Sequence, residues 1–132
     1  MATRVNRKKT MRQRLFVTAK IHRATVTDAN ADYKGSIAIC PELIAAAGLM
    51  KFELIHVNNV NNGNHWETYV IPGDPQSIVL NGPPAHLFSR GDLVVINRIE
   101  NIPVTELAGI TQTVVYVDAE NRVTQTTCTP SL

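Results

Sequence analysis

The sequence has few of the residues that usually mark a small protein's chemistry. Only two of its 132 residues are cysteine, Cys40 and Cys128. Neither sits in a CxxC pair, so a disulfide framework is excluded, and two free thiols in a reducing compartment are expected. The four histidines, His22, His56, His65 and His86, show no metal-ligand spacing, and no metal is assigned. There is no Gly-rich phosphate loop, no Ser-His-Asp order and no zinc motif. The longest apolar run, LIAAAGLM from 43 to 50, is far too short to cross a bilayer. The N-terminus is basic but is not followed by an apolar stretch, so no secretory signal is expected and a cytoplasmic location is. Repeats, low-complexity segments and linkers are absent, and the length suits one domain.

Charge of one sign is missing where the other is crowded. The net charge is +2, yet six of the thirteen Lys and Arg residues (Arg4, Arg7, Lys8, Lys9, Arg12, Arg14) lie in the first fourteen positions, with no acid among them. The remainder carries seven bases against eleven acids. This suggests a flexible basic arm over 1–13 and an acidic body over 14–132. The arm could contact nucleic acid. It has no aromatic residue for base stacking, so a frayed terminus is the plainer reading. Met11 is an alternative start, which would make residues 1–10 an extension.

The body reads mainly as strands. LFVTAKIHRATVT (15–27) is rich in β-branched residues, DANADYKG is a turn, and SIAIC is a short strand. PELIAAAGL has the marks of a helix, with Pro41 at its first position and Gly48 near its end. FELIHVNNV (52–60) and HWETYVI (65–71) read as strands joined at NNG, where Asn and Gly tolerate positive φ. PGDPQS is a loop, IVLNG a strand and PPAHLF a single helical turn. GDLVVINRI and TQTVVYVD are strands, AENR is a turn, and the tail to Leu132 carries little signal. Many short strands with two brief helices suggest a small closed barrel.

A few positions stand out chemically. Ser36 follows Gly35 and opens a strand; Lys20 and His22 share a strand face; Thr68 and Tyr69 adjoin; Asn81-Gly82 ends a strand. Taken singly each has a plainer reading: a turn, a solvated strand face, favoured strand formers, another turn.

Together, AKIHRATVTDANADYKGSIAI, then NNG, ETYVI, NGPPAH and RGDLVVI, resemble the aspartate 1-decarboxylase family in order and spacing, from about Met11 to Val117. The match weakens near 100–112. The resemblance implies a double-psi β-barrel and a homotetramer with sites at subunit interfaces. It also implies a pyruvoyl cofactor made from the chain itself. The Ser36 hydroxyl would attack the Gly35 carbonyl, the peptide bond would become an ester, and elimination and hydrolysis would leave a pyruvoyl group at position 36 and release ammonia. Gly35 is expected to hold a strained conformation that admits the hydroxyl. The resemblance gives Thr68 the polarisation of the scissile carbonyl, Tyr69 the role of proton donor, and Asn81 a place beside the pyruvoyl. The pyruvoyl carbonyl would take the amine of an amino-acid substrate covalently, replacing pyridoxal phosphate. Lys20 would bind a substrate carboxylate, Tyr33 and His22 would line the site, and the N–H groups of Gly82 and Ala85 would serve as donors where Pro83 and Pro84 have none.

One departure bears on the substrate. The family pattern has an arginine before its hydrophobic-x-Thr-Tyr, where it clamps a carboxylate; NGNHWETY has His65 there. Arginine is always charged and offers a planar fork, whereas an imidazole is mostly neutral at pH 7. The readings are an aspartate decarboxylase with weakened binding, a decarboxylase of another amino acid, or a barrel that matures but turns over poorly. A non-enzymatic nucleic-acid-binding module is the alternative of another class. The residues leave open whether maturation needs a separate partner.

Overall fold

The computed structural model describes residues 11–132. Nine strands and one short α-helix follow in chain order: β1 (Gln13–Thr25), β2 (Asp28–Asn30), β3 (Ser36–Ile39), α1 (Pro41–Ala47), β4 (Leu54–Asn59), β5 (His65–Pro72), β6 (Ile78–Asn81), β7 (Leu93–Pro103), β8 (Thr111–Val117) and β9 (Val123–Pro130). Two 3₁₀ turns, Pro83–His86 and Val104–Gly109, precede β7 and β8. The strands form one sheet in the order β2-β6-β3-β5-β4-β7-β1-β8-β9. Three pairs are parallel, β1 with β8, β2 with β6 and β3 with β5, while the others are antiparallel. The mainly β, barrel-like single domain is the fold class expected. Among the described residues no helix is long and apolar enough to cross a membrane.

Alternation along the strands separates two faces. Ile37, Leu80, Val70 and Ile55 are fully buried and point into one core with Val57, Ile96 and Val115. Each such aliphatic side chain contributes about 1.5–3 kcal/mol by leaving water. The helix α1 adds Leu43 and Ala47 to this core. Pro41 opens it, and Gly48 closes it in the left-handed region at φ 70°. Arg98, reaching across from β7, donates to the Gly48 carbonyl at 2.9 Å and completes that end.

Two irregularities aim β1. Its pairing with β7 slips by one residue between Val17 and Ala19 and again between Ile21 and Ala24, where Arg23 has a φ of 62°. Such bulges bend a long strand so that it can serve two neighbours.

Several boundaries differ from the sequence reading. β1 begins at Gln13, and the Arg12 carbonyl accepts from Val104 N–H, so the domain reaches into the expected arm. The rest of that arm, 1–10, lies outside the described residues. β4 begins at Leu54, because Phe52 at φ 73° cannot continue a strand. The turn expected over DANADYKG (28–35) begins with the short strand β2, and the silent tail forms β9.

Candidate functional site

Gly35 and Ser36 lie where the 31–35 turn enters β3. Ser36 is 1% exposed, unusual for a serine at a turn exit. Its hydroxyl donates to the Lys34 carbonyl at 3.3 Å and accepts from Asn81 Nδ2 at 3.2 Å. Asn81 is its direct partner across the β3–β6 ladder and is itself buried. Ladder register therefore presents an amide donor to the serine oxygen.

The strained glycine is Gly82, not Gly35. Gly35 is not in the left-handed region, and a Cβ there would meet only Pro83 Cδ at 3.7 Å, an ordinary contact. Gly82 has a φ of 82°, and a Cβ on it would lie 2.6 Å from Gly35 Cα and 2.8 Å from Gly35 N. The Asn81-Gly82 corner thus presses bare backbone against the Gly-Ser junction, which no side chain would permit. The expected donors here are already in use: Gly82 N–H donates to Asn30 O at 2.9 Å, and Ala85 N–H to Gly82 O at 3.0 Å. The conformation described therefore offers neither to a ligand.

The parallel β3–β5 ladder positions the next two residues. Ile37 pairs with Val70, so one step back aligns Ser36 with Tyr69, and two steps back aligns Gly35 with Thr68. Thr68 is buried on the inward face. Tyr69 faces outward, its ring edge-on to Phe52 at 6.1 Å. Tyr33 is exposed and lines, with Asn81, Ala38, Ile71 and Val79, an outward cleft of about 380 Å³. A separate cleft of about 530 Å³ lies around Arg98, Glu100 and Glu106 and contains no expected site residue.

The remaining expected residues lie elsewhere on the outward face. Lys20 on β1 pairs with Asn97 of β7, Asn97 with His56 of β4, and His56 with Glu67 of β5. This outward row is next to the one that carries Tyr69, but Lys20 is four strand places from Ser36 in the sheet. Within the row, Asn97 Oδ1 is buried without a hydrogen-bond partner. His22 packs edge-on against Tyr116 at 5.6 Å beside a separate cleft of about 300 Å³. His65 is four residues before Tyr69 on β5, roughly 14 Å along the strand at ~3.4 Å per residue. There it meets His56 and Glu67, two residues that sequence reasoning did not single out. The hairpin at NNG was the available signal, since its register makes His56 and Glu67 partners.

Fold and site together define a small β-barrel-like domain with a Gly-Ser junction whose serine is buried, and with polar groups on two adjoining strands. The aspartate decarboxylase family model matches residues 11–124, and the chain belongs to that family. It is 45% identical over 111 residues to the aspartate 1-decarboxylase of Hydrogenobaculum sp., covering 84% of this chain and 89% of that one. The aspartate 1-decarboxylase of Bdellovibrio bacteriovorus is 46% identical over 110 residues, 83% of this chain and 89% of that protein. That of Dehalococcoides mccartyi is 47% identical over 112 residues, 83% and 90% of the respective chains. The chain is thus an enzyme of the decarboxylase type, as the resemblance implied.

Proposed function

We propose that the protein cuts its own backbone between Gly35 and Ser36, converts Ser36 to a pyruvoyl group, and then decarboxylates L-aspartate to β-alanine, a precursor of pantothenate and coenzyme A. The observation that carries this reading is the buried Ser36 hydroxyl, held by Asn81 Nδ2 beside a Gly35 backbone against which Gly82 packs bare. A catalytic group derived from Ser36 fits this place, because Asn81 already directs a donor at its oxygen. When formed, a pyruvoyl group supplies a carbonyl that draws electrons as the substrate carboxylate leaves.

The chain's own residues do the rest. Thr68, level with Gly35, polarises the scissile carbonyl. Tyr69, level with Ser36 on the outward face, returns a proton to the substrate carbon. Lys20 holds a substrate carboxylate through a charge-assisted hydrogen bond. Tyr33 and Asn81 line the cleft that would receive the substrate, and His22 lines the site from beside Lys20.

Lys20 also supports a multi-subunit site. Ser36 on β3 and Lys20 on β1 lie four strand places apart, roughly 19 Å measured along the sheet at ~4.8 Å per strand. This placement favours a site completed by the lysine of another copy, in keeping with a homotetramer.

His65 in place of the family's arginine favours a second reading, a different amino acid as substrate. An amino-acid panel with product analysis tests both. Aspartate as the best substrate, with β-alanine and carbon dioxide in equal amounts, is expected; faster decarboxylation of a monocarboxylic amino acid would select the second reading.

A further inference from the structure

We infer that His56, His65 and Glu67 form a binding site for a divalent transition metal of the zinc class on the outward face of the β4–β5 hairpin. The inference rests on these residues' geometry alone and is independent of the proposed reaction.

Hairpin register builds the cluster. His56 and Glu67 are direct partners across the ladder, and His65 is two residues before Glu67, on the same face. Their three ligand atoms lie within 4.8 Å of one another. The two carboxylate oxygens divide between the imidazoles: His56 Nε2 is 3.6 Å from Oε1, and His65 Nε2 is 3.5 Å from Oε2. These separations are long for charge-assisted hydrogen bonds, which run about 2.7–2.9 Å. They are close to the spacing between ligands of a tetrahedral metal, about 3.3–3.4 Å for bonds of about 2.0–2.1 Å.

The outer partner of His65 is the kind a metal-bound imidazole requires. Asn58 Oδ1 sits 2.6 Å from His65 Nδ1. An amide oxygen only accepts, so Nδ1 is the donor in this hydrogen bond and Nε2 is the ring atom turned to Glu67. An imidazole whose other nitrogen donates to a carbonyl oxygen is the usual orientation of a metal ligand.

The backbone beneath is fixed. Trp66, between the two β5 ligands, turns inward and packs on the core. The buried Asn59 ties the hairpin to the following loop by donating to Leu87 O at 3.2 Å and Asp92 Oδ2 at 2.8 Å. Only side chains must move to close the ligand set, those of His65 and Glu67 exposed and that of His56 half-buried. Two imidazoles and one carboxylate suit zinc or cobalt, and the remaining position opens to solvent.

The full chain, freed of metal with a chelator, is titrated with Zn²⁺ by calorimetry and with Co²⁺ by visible absorption. One metal per chain is expected, with cobalt bands characteristic of nitrogen and oxygen ligands. His56→Ala and Glu67→Gln should each weaken zinc binding at least ~10-fold, and His56→Ala/His65→Ala should abolish the cobalt bands. Asn58→Ala, which removes only the outer partner, should weaken binding about 10-fold or more. Cys128→Ser, which removes the exposed thiol, should leave binding unchanged. Circular dichroism checks that these surface variants stay folded. Zinc binding equally tight in His56→Ala/His65→Ala, or no saturable binding to the unaltered chain, would overturn the inference.

Discussion

At the scale of single residues, two glycines exchange the roles that the sequence assigns them. Gly-Ser invites attention to Gly35, but the conformation that only glycine adopts belongs to Gly82. Gly35→Ala should therefore leave stability unchanged or raise it by about 0.4–1 kcal/mol, through a less flexible unfolded chain. Gly82→Ala should cost at least about 1–3 kcal/mol from its φ alone, and should also displace the Gly35-Ser36 junction. Urea midpoints of the two variants check this, and equal midpoints would refute it. Ser36, Asn81, Thr68 and Tyr69 were legible only as members of a family pattern, because each alone is an ordinary strand or turn residue. His65 marks the other residue-scale question. If weak carboxylate binding at this position limits turnover, His65→Arg in chelator-treated enzyme should lower KM for aspartate by about 10- to 100-fold, the worth of a charge-assisted contact of about 1.5–3 kcal/mol. An unchanged KM would remove His65 from the substrate site.

At the scale of elements, legibility followed burial. α1, the β4–β5 hairpin and the central part of β7 have capping residues, a turn dipeptide or buried aliphatics, and the sequence shows them. β9 was silent because VTQTTCTP buries almost nothing; it is an edge strand held to β8 by main-chain hydrogen bonds. β2 is three residues long and pairs through its backbone with β6, so its sequence reads as a turn. The cluster of His56, His65 and Glu67 escaped notice because its ligands are split across a hairpin, so their linear spacing matches no motif. The AENR turn was visible, but its purpose was not. Asn121, at φ 62° and 1% exposed, accepts from Thr25 N–H at 2.8 Å and donates to Thr25 O at 2.9 Å and Gln76 O at 3.1 Å. It fastens the β8–β9 connection to the end of β1 and to the loop before β6. Asn121→Ala leaves those backbone groups unpaired and places alanine in the left-handed region. It should cost about 2–3 kcal/mol, read from chemical denaturation; a loss under ~0.5 kcal/mol would show that the connection is not held this way.

At the scale of the whole molecule, most of the candidate site residues lie on the outward face and the aliphatic core on the inward one. Ser36, Tyr69 and Asn81 lie toward one end of the strand order, and Lys20 lies four strand places from Ser36. If sites are shared between copies, chains carrying Lys20→Ala and chains carrying Ser36→Ala should each be inactive alone and regain activity when co-assembled, since a mixed site combines an intact Ser36 with an intact Lys20. Failure of co-assembled chains to regain activity would contradict the shared site. Sharing is secondary to the claim that Gly35-Ser36 is the bond that breaks. Intact mass spectrometry of the purified full chain, incubated with and without cell extract and then treated with hydroxylamine, tests that claim directly. The account expects two polypeptides divided after Gly35, the larger beginning with a carbonyl group that hydroxylamine modifies and resisting N-terminal sequencing. A single unmodified chain under both conditions, with Ser36 still a serine, would contradict it.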